Sequence, residues 1–127
     1  FLFEKVGIDT SVIRIADGSG VSRYNLSSPD QIIRLLTWVF KKGPKDHFIS
    51  TLPGGGWEGT MEERFGSFGN SIRAKTGHLS GVSCLSGYVF STRHGPIAFS
   101  IMMNGFIGPA KPYQQLQDNI CRILLHD

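Results

Sequence analysis

Two β-rich runs with only a short polar turn between them limit what this chain can fold into. Val82–Ser91 carries apolar residues at spaced positions, Leu85 and Val89 among them, and Ile97–Met103 returns after the turn Arg93-His94-Gly95. Two such runs joined so closely read as an antiparallel hairpin. A shorter run, Ser71-Ile72-Arg73-Ala74-Lys75, precedes them and reads as a further strand. One face of such a sheet must be covered. Pro112 opens a closing helix whose apolar stripe, Tyr113, Leu116, Ile120, Ile123 and Leu124, is the nearest candidate for that cover.

Upstream of the strands the apolar spacing is helical. Ser28-Pro29-Asp30-Gln31 is a helix start: Ser28 caps, Pro29 suits the first helical position, and Gln31 completes a capping box. Ile32, Ile33, Leu35, Leu36, Val39 and Phe40 follow at helical intervals until Gly43-Pro44 stops the helix. A shorter helical turn is expected around Asp46 to Leu52, and another over Met61 to Phe65. Val12–Ala16 is a short β-branched run, and Asp17-Gly18-Ser19-Gly20 turns the chain after it. Phe1–Val6 reads as the end of an amphipathic helix, with no initiator Met and no signal-peptide pattern, so the expectation is a chain that begins partway through a larger one. Helices first, then an antiparallel sheet, then a closing helix is an α+β order.

The 127 residues fit one domain, and a hydrophobic content of 40% supplies a core while 18% charged residues argue against disorder. No apolar run approaches the ~20 residues of a membrane-spanning helix. The net charge of +3 is mild and its basic residues are scattered apart from Lys41, Lys42 and Lys45, which is not the clustered pattern of a nucleic-acid surface. Cys84 and Cys121 read as free, buried thiols, and with four dispersed histidines they do not make a zinc pattern. No metal and no cofactor is expected.

Three local patterns invite sharper readings and do not sustain them. Pro53-Gly54-Gly55-Gly56 lacks the Gly-Lys-Ser/Thr ending by which a phosphate loop brings a lysine to its ligand, so it reads as a plain flexible loop. Gly18-Ser19-Gly20 lacks the third glycine of a dinucleotide motif. Glu58, Glu62 and Glu63 read as a solvated helix face rather than a catalytic carboxylate pair.

Lys75-Thr76-Gly77 is the pattern with chemical content. A lysine on a sheet edge offers a fixed cation to a substrate carboxylate, Thr76 adds a hydroxyl, and Gly77 lets a ligand approach the backbone closely. An edge strand also offers free N–H and C=O groups to an extended peptide. The triplet is the third signature of the β-lactamase and penicillin-binding group. Alone it arises by chance in on the order of a per cent or two of chains this long. The surrounding blocks extend the match. Asp17-Gly18-Ser19-Gly20-Val21-Ser22-Arg23, Leu52-Pro53, Gly59-Thr60, Arg73-Ala74-Lys75-Thr76-Gly77, Leu79-Ser80-Gly81-Val82-Ser83 and Leu85-Ser86-Gly87-Tyr88-Val89 occur in family order. Together they resemble the class C low-molecular-mass penicillin-binding proteins, the D-alanyl-D-alanine carboxypeptidase/endopeptidase family typified by penicillin-binding protein 4.

That resemblance implies the C-terminal part of a β-lactamase/transpeptidase-like domain, with residues 1–127 as one segment of it and the missing N-terminal part of the same domain as its structural partner. It implies an extracytoplasmic serine-type hydrolase that cuts peptidoglycan stem peptides through an acyl-enzyme and is acylated by β-lactams. Lys75 would assist electrostatically, Thr76 would contact the terminal carboxylate, Gly77 would admit the substrate backbone, and the backbone N–H of His78 would supply half of the oxyanion hole. The chain departs from the family in two ways. It contains no Ser-x-x-Lys and no Ser-x-Asn, so by itself it has no nucleophile, and His78 stands where the family usually has Thr or Ser. A non-catalytic peptidoglycan-binding module on the same fold, and a β-lactamase or esterase of the superfamily, are the alternatives.

Overall fold

A computed structural model describes residues 2–57 and 59–126. Four helices, α1 (Leu2–Val6), α2 (Pro29–Lys42), α3 (Lys45–Thr51) and α4 (Lys111–His126), accompany three strands, β1 (Ile72–Leu79), β2 (Val82–Ser91) and β3 (Gly95–Asn104). Two short 3-10 turns, Gly59–Met61 and Gly66–Ser71, lead into β1.

The expected start of α2 is half realised. The Ser28 hydroxyl accepts from the Gln31 N–H at 3.4 Å, and Pro29 occupies the first turn. Asp30 at the positive end and Lys41 and Lys42 at the negative end suit the helix dipole. Gln31 does not complete the box. Its side chain turns inward and is only 5% exposed, and its Oε1 has no hydrogen-bond partner among the described residues. The Gly43 N–H closes the helix by bonding the Trp38 and Val39 carbonyls at 3.1 and 3.0 Å.

The sheet is antiparallel in the order β1-β2-β3. Val89 faces Ile72 and Ile97, and Leu85 faces Thr76 and Ile101. With a side-chain period of two, each face then has its own core. Ile72, Ala74, Leu85, Val89 and Phe99 pack under α4 against Cys121 and Leu125, together with Met61 and Phe65. On the other face Tyr88 packs with Leu36 of α2 and with Leu52, and its hydroxyl donates to the Leu36 carbonyl at 2.8 Å. The result is helix, sheet, helix in three layers.

Several local expectations need correction. The strand expected over Ser71–Lys75 starts one residue later and runs further: β1 continues through Gly77 to Leu79, because Cys84, Ser83 and Val82 continue the pairing opposite. Residues 62–65 form a turn rather than a helix; Glu62 and Glu63 are exposed there, and Glu58 lies outside the described residues. Val12–Ala16 makes only a single bridge, Arg14 to Leu26. The buried line of α4 is Gln117, Cys121 and Leu125, whereas Leu116 and Ile123 are 50% and 64% exposed. The stripe is rotated because Gln117 finds hydrogen-bond partners inside, so a polar residue occupies the inner face. Cys121 is buried and free as expected, but Cys84 is only half-buried.

Pro53–Gly56 is a packed strap, not a flexible loop. The Pro53 carbonyl accepts from the Ala74 N–H at 3.1 Å, Gly54 bridges Arg73, and the Gly56 N–H donates to the Met61 carbonyl at 2.9 Å. A β-carbon on Gly69 would collide with the Gly55 carbonyl, and one on Gly54 would lie 2.7 Å from the Trp57 ring. Glycine serves close approach here rather than mobility.

Candidate active-site edge

β1 is an edge strand, and the strap covers only its first half. Ala74 turns its N–H away from β2 toward Pro53. Because alternate residues of a strand face the same side, the N–H groups of Thr76 and His78 face that edge too. Beyond Ala74 no strand lies alongside them among the described residues. The outward backbone groups of Thr76 and His78 therefore form an open stretch of this edge, with the Thr76 carbonyl taken up by Lys75.

The side chains of the triplet divide between the two faces of the sheet. Lys75 is exposed and shares its face with Ser86 and Ser100, whose hydroxyls are 2.8 Å apart. Its ammonium donates to the Thr76 carbonyl at 2.7 Å. Thr76 and His78 lie on the opposite face, toward the start of α4. A cleft of about 440 Å³ opens there, lined by Thr60, Thr76, Gly77, His78, Cys84 and Gln114 among others. Thr76 Oγ1 is 2.7 Å from Thr60 Oγ1. Gly77 has neither a positive φ nor a crowded site: a β-carbon there would meet only Cys84 Cβ at 3.5 Å. The fold does not require glycine at 77, so its missing side chain leaves room that a ligand can use.

Two anchors hold the edge in place. At the hairpin tip, Arg23 donates to the Ser80 carbonyl at 2.7 Å and the Gly105 N–H to the Gly81 carbonyl at 2.9 Å. Arg23 belongs to the Asp-Gly-Ser-Gly loop. There Asn25 Oδ1 accepts from the Ala16 and Asp17 N–H groups at 2.7 and 3.2 Å, and Asp17 accepts from the Ser19 hydroxyl and N–H at 2.6 and 2.9 Å. Those two donors hold the Asp17 carboxyl below its ordinary value, the hydroxyl most of all. On the α4 side, Arg64 forms a mostly buried ion pair with Asp118 and donates to Gln117 Oε1 at 3.1 Å. Gln117 is fully buried and donates onward to the carbonyl and hydroxyl of Ser83, the residue opposite His78.

Neither thiol near this edge is an activated nucleophile. Burial pushes the Cys84 thiol up, and burial followed by the Asp118 charge pushes Cys121 up to about 12. Among the described residues no three His, Cys, Asp or Glu side chains group to hold a metal ion, and no helix is long and apolar enough to cross a membrane.

A family model described as the D-Ala-D-Ala carboxypeptidase 3 (S13) family matches residues 2–124. The chain belongs to this family. It is 35% identical over 109 residues to a D-alanyl-D-alanine carboxypeptidase of Haemophilus influenzae, covering 83% of this chain and 23% of that protein. It is 38% identical over 118 residues to a D-alanyl-D-alanine carboxypeptidase of an Actinomadura species, covering 83% and 21%. The crystal structure of penicillin-binding protein 4 from Haemophilus influenzae superposes with a TM-score of 0.85 at 31% identity, over 98% of this chain and 30% of that one. The same protein complexed with a β-lactam gives 0.84 at 31% identity, over 99% and 32%. The chain thus has the α+β fold of this S13 relative and spans under a quarter of the length of the two curated relatives.

Within that S13 fold, the structure brings Thr76, Gly77 and His78 to one open cleft and puts the Lys75 side chain on the other face of the same strand. Sequence reasoning matched Gly59-Thr60 as a block but gave Thr60 no role. Its only signal was that adjacency, since the contact with Thr76 forms through the fold. Arg64 and Gln117 left no signal at all.

Proposed function

We propose that this chain is one segment of a single transpeptidase-like catalytic domain, and that the domain is a serine-type D-Ala-D-Ala carboxypeptidase/endopeptidase working outside the cytoplasm on peptidoglycan stem peptides. The carrying observation is the open edge of β1 beyond the strap, where no partner among the described residues takes the N–H groups of Thr76 and His78 and where Thr76, Gly77 and His78 line one cleft. An extended peptide pairs along such an edge. Thr76 donates its hydroxyl to the terminal carboxylate, and Lys75 supplies positive charge from the other face. The backbone N–H of His78, on the free edge, is half of the oxyanion hole; any side chain but proline preserves it. The nucleophile is a Ser-x-x-Lys serine, which these 127 residues do not contain. It attacks the D-Ala-D-Ala amide carbonyl, D-alanine leaves with a proton, and water hydrolyses the acyl-enzyme. β-Lactams acylate the same serine.

Labelled penicillin offered to the complete protein, with its nucleophile segment present, tests this reading. A covalent adduct on a serine and release of D-alanine from a stem peptide are the expected results. No labelling would sink it. The absence of Ser-x-x-Lys from these residues keeps one second reading in view, a peptide-binding module without hydrolysis. Stem-peptide binding without D-alanine release would select that one, and β-lactam turnover without D-alanine release would select a β-lactamase.

A further inference from the structure

Thr60 and Thr76 come from separate segments and meet hydroxyl to hydroxyl at 2.7 Å, where either oxygen can be the donor. Each hydroxyl has one proton and two acceptor sites. A carboxylate is acceptor-only, so a Thr76 hydroxyl that binds one must commit its single proton to it. Thr60 is then the only member of the pair with a proton left to give. We propose that Thr60 is a positioning residue: it donates to Thr76 and so orients the Thr76 proton toward a substrate carboxylate. The inference rests on the reading of the edge given above and assigns a residue to carboxylate selectivity.

The geometry supports more than a chance contact. Thr60 precedes Met61, which is fully buried in the core. The Met61 carbonyl accepts from Gly56 at 2.9 Å and from Arg64 at 3.0 Å, and the Arg64 side chain is pinned to α4 through Asp118 and Gln117. The turn carrying Thr60 is thus fixed from both sides, as a group that orients another must be. A hydroxyl that accepts a hydrogen bond also becomes a better donor, so the chain Thr60 to Thr76 to carboxylate strengthens each link. In the free protein Thr60 is exposed, and water competes for both hydroxyls. The pair therefore adds little to folding and acts when ligand excludes water.

The test uses the complete protein and two thioester probes with the same acyl group, one with a leaving group ending in a carboxylate and the other in its methyl ester. The activated acyl group keeps both reactions measurable. Thr60→Val should lower kcat/KM for the carboxylate probe by about tenfold, leave the ester probe within about twofold, and leave thermal unfolding unchanged. Thr60→Ser should restore the carboxylate rate. Equal loss on both probes, no loss on either, or no rescue by Thr60→Ser would overturn the inference, and Thr60→Ala gives the same comparison should the valine variant misfold. A wild-type protein that acylates with neither probe would remove the reading of the edge itself, and this inference with it.

Discussion

Gln117 of α4 donates its side-chain amide to both the carbonyl (3.1 Å) and the hydroxyl (3.2 Å) of Ser83, the residue facing His78 across β1 and β2. One fully buried side chain thus ties the closing helix to the strand that backs the open edge. Gln117→Leu would keep the volume and leave Ser83 and Arg64 short of partners. It should destabilise the protein by roughly 2–4 kcal/mol, since each buried unsatisfied group costs about 1–3 kcal/mol. Urea denaturation should show a lower midpoint with an unchanged slope.

The Lys75 side chain is exposed, and among the described residues its ammonium donates only to the carbonyl of its own neighbour. Lys75→Ala should therefore leave stability within about 0.5 kcal/mol. Acylation of the complete protein by penicillin should slow by roughly 100-fold or more if the ammonium acts on developing charge. Stopped-flow acylation beside a thermal melt separates the two effects.

Gly77 and Gly87 predict opposite behaviour. A β-carbon on Gly87 would collide with the Arg73 carbonyl and lie 2.6 Å from Ala74 Cα, so Gly87→Ala should cost about 1–3 kcal/mol as an overpacked site. A β-carbon on Gly77 meets only Cys84 Cβ at ordinary contact distance. Gly77→Ala should melt like the wild type yet lose acylation, because the new methyl takes the room beside the edge.

Burial raises Cys121 from an ordinary 9.0 to about 12 and Tyr88 from 10.0 to about 12. Both groups are neutral when protonated, and the fold favours that form. The unfolded chain releases these protons first, so the folded state holds more of them between pH 9 and pH 12. Their contribution is fully present below pH 9 and is lost as pH rises toward 12. Denaturation midpoints should fall across that window, and less steeply in Cys121→Ala. At pH 8 a thiol reagent should modify the half-buried Cys84 before Cys121.

Much of the fold was legible because its signals are local. Two β-rich runs on either side of the Arg93-His94-Gly95 turn announced β2 and β3, and Val82–Ser91 matches its strand end to end. Ser28, Pro29 and Gly43 marked α2 through capping chemistry that spans a few residues. The rest depended on distant partners. The inner face of α4 was misread because hydropathy sends Gln117 outward, whereas Ser83 and Arg64 draw it in. The glycines of the strap read as mobile because the backbones packed against Gly55 and Gly56, those of Gly69 and Gly66, lie at least 10 positions further along the chain.

The sequence by itself determined the order of elements, the Lys75-Thr76-Gly77 strand and the family, since these rest on residue types at short, ordered spacings. Only the tertiary structure decided which edge of that strand is open, that Thr60 meets Thr76, and that Arg64 and Gln117 hold both in place. Those contacts join residues 16 to 54 positions apart, and such pairings form only when the sheet and α4 bury their shared core.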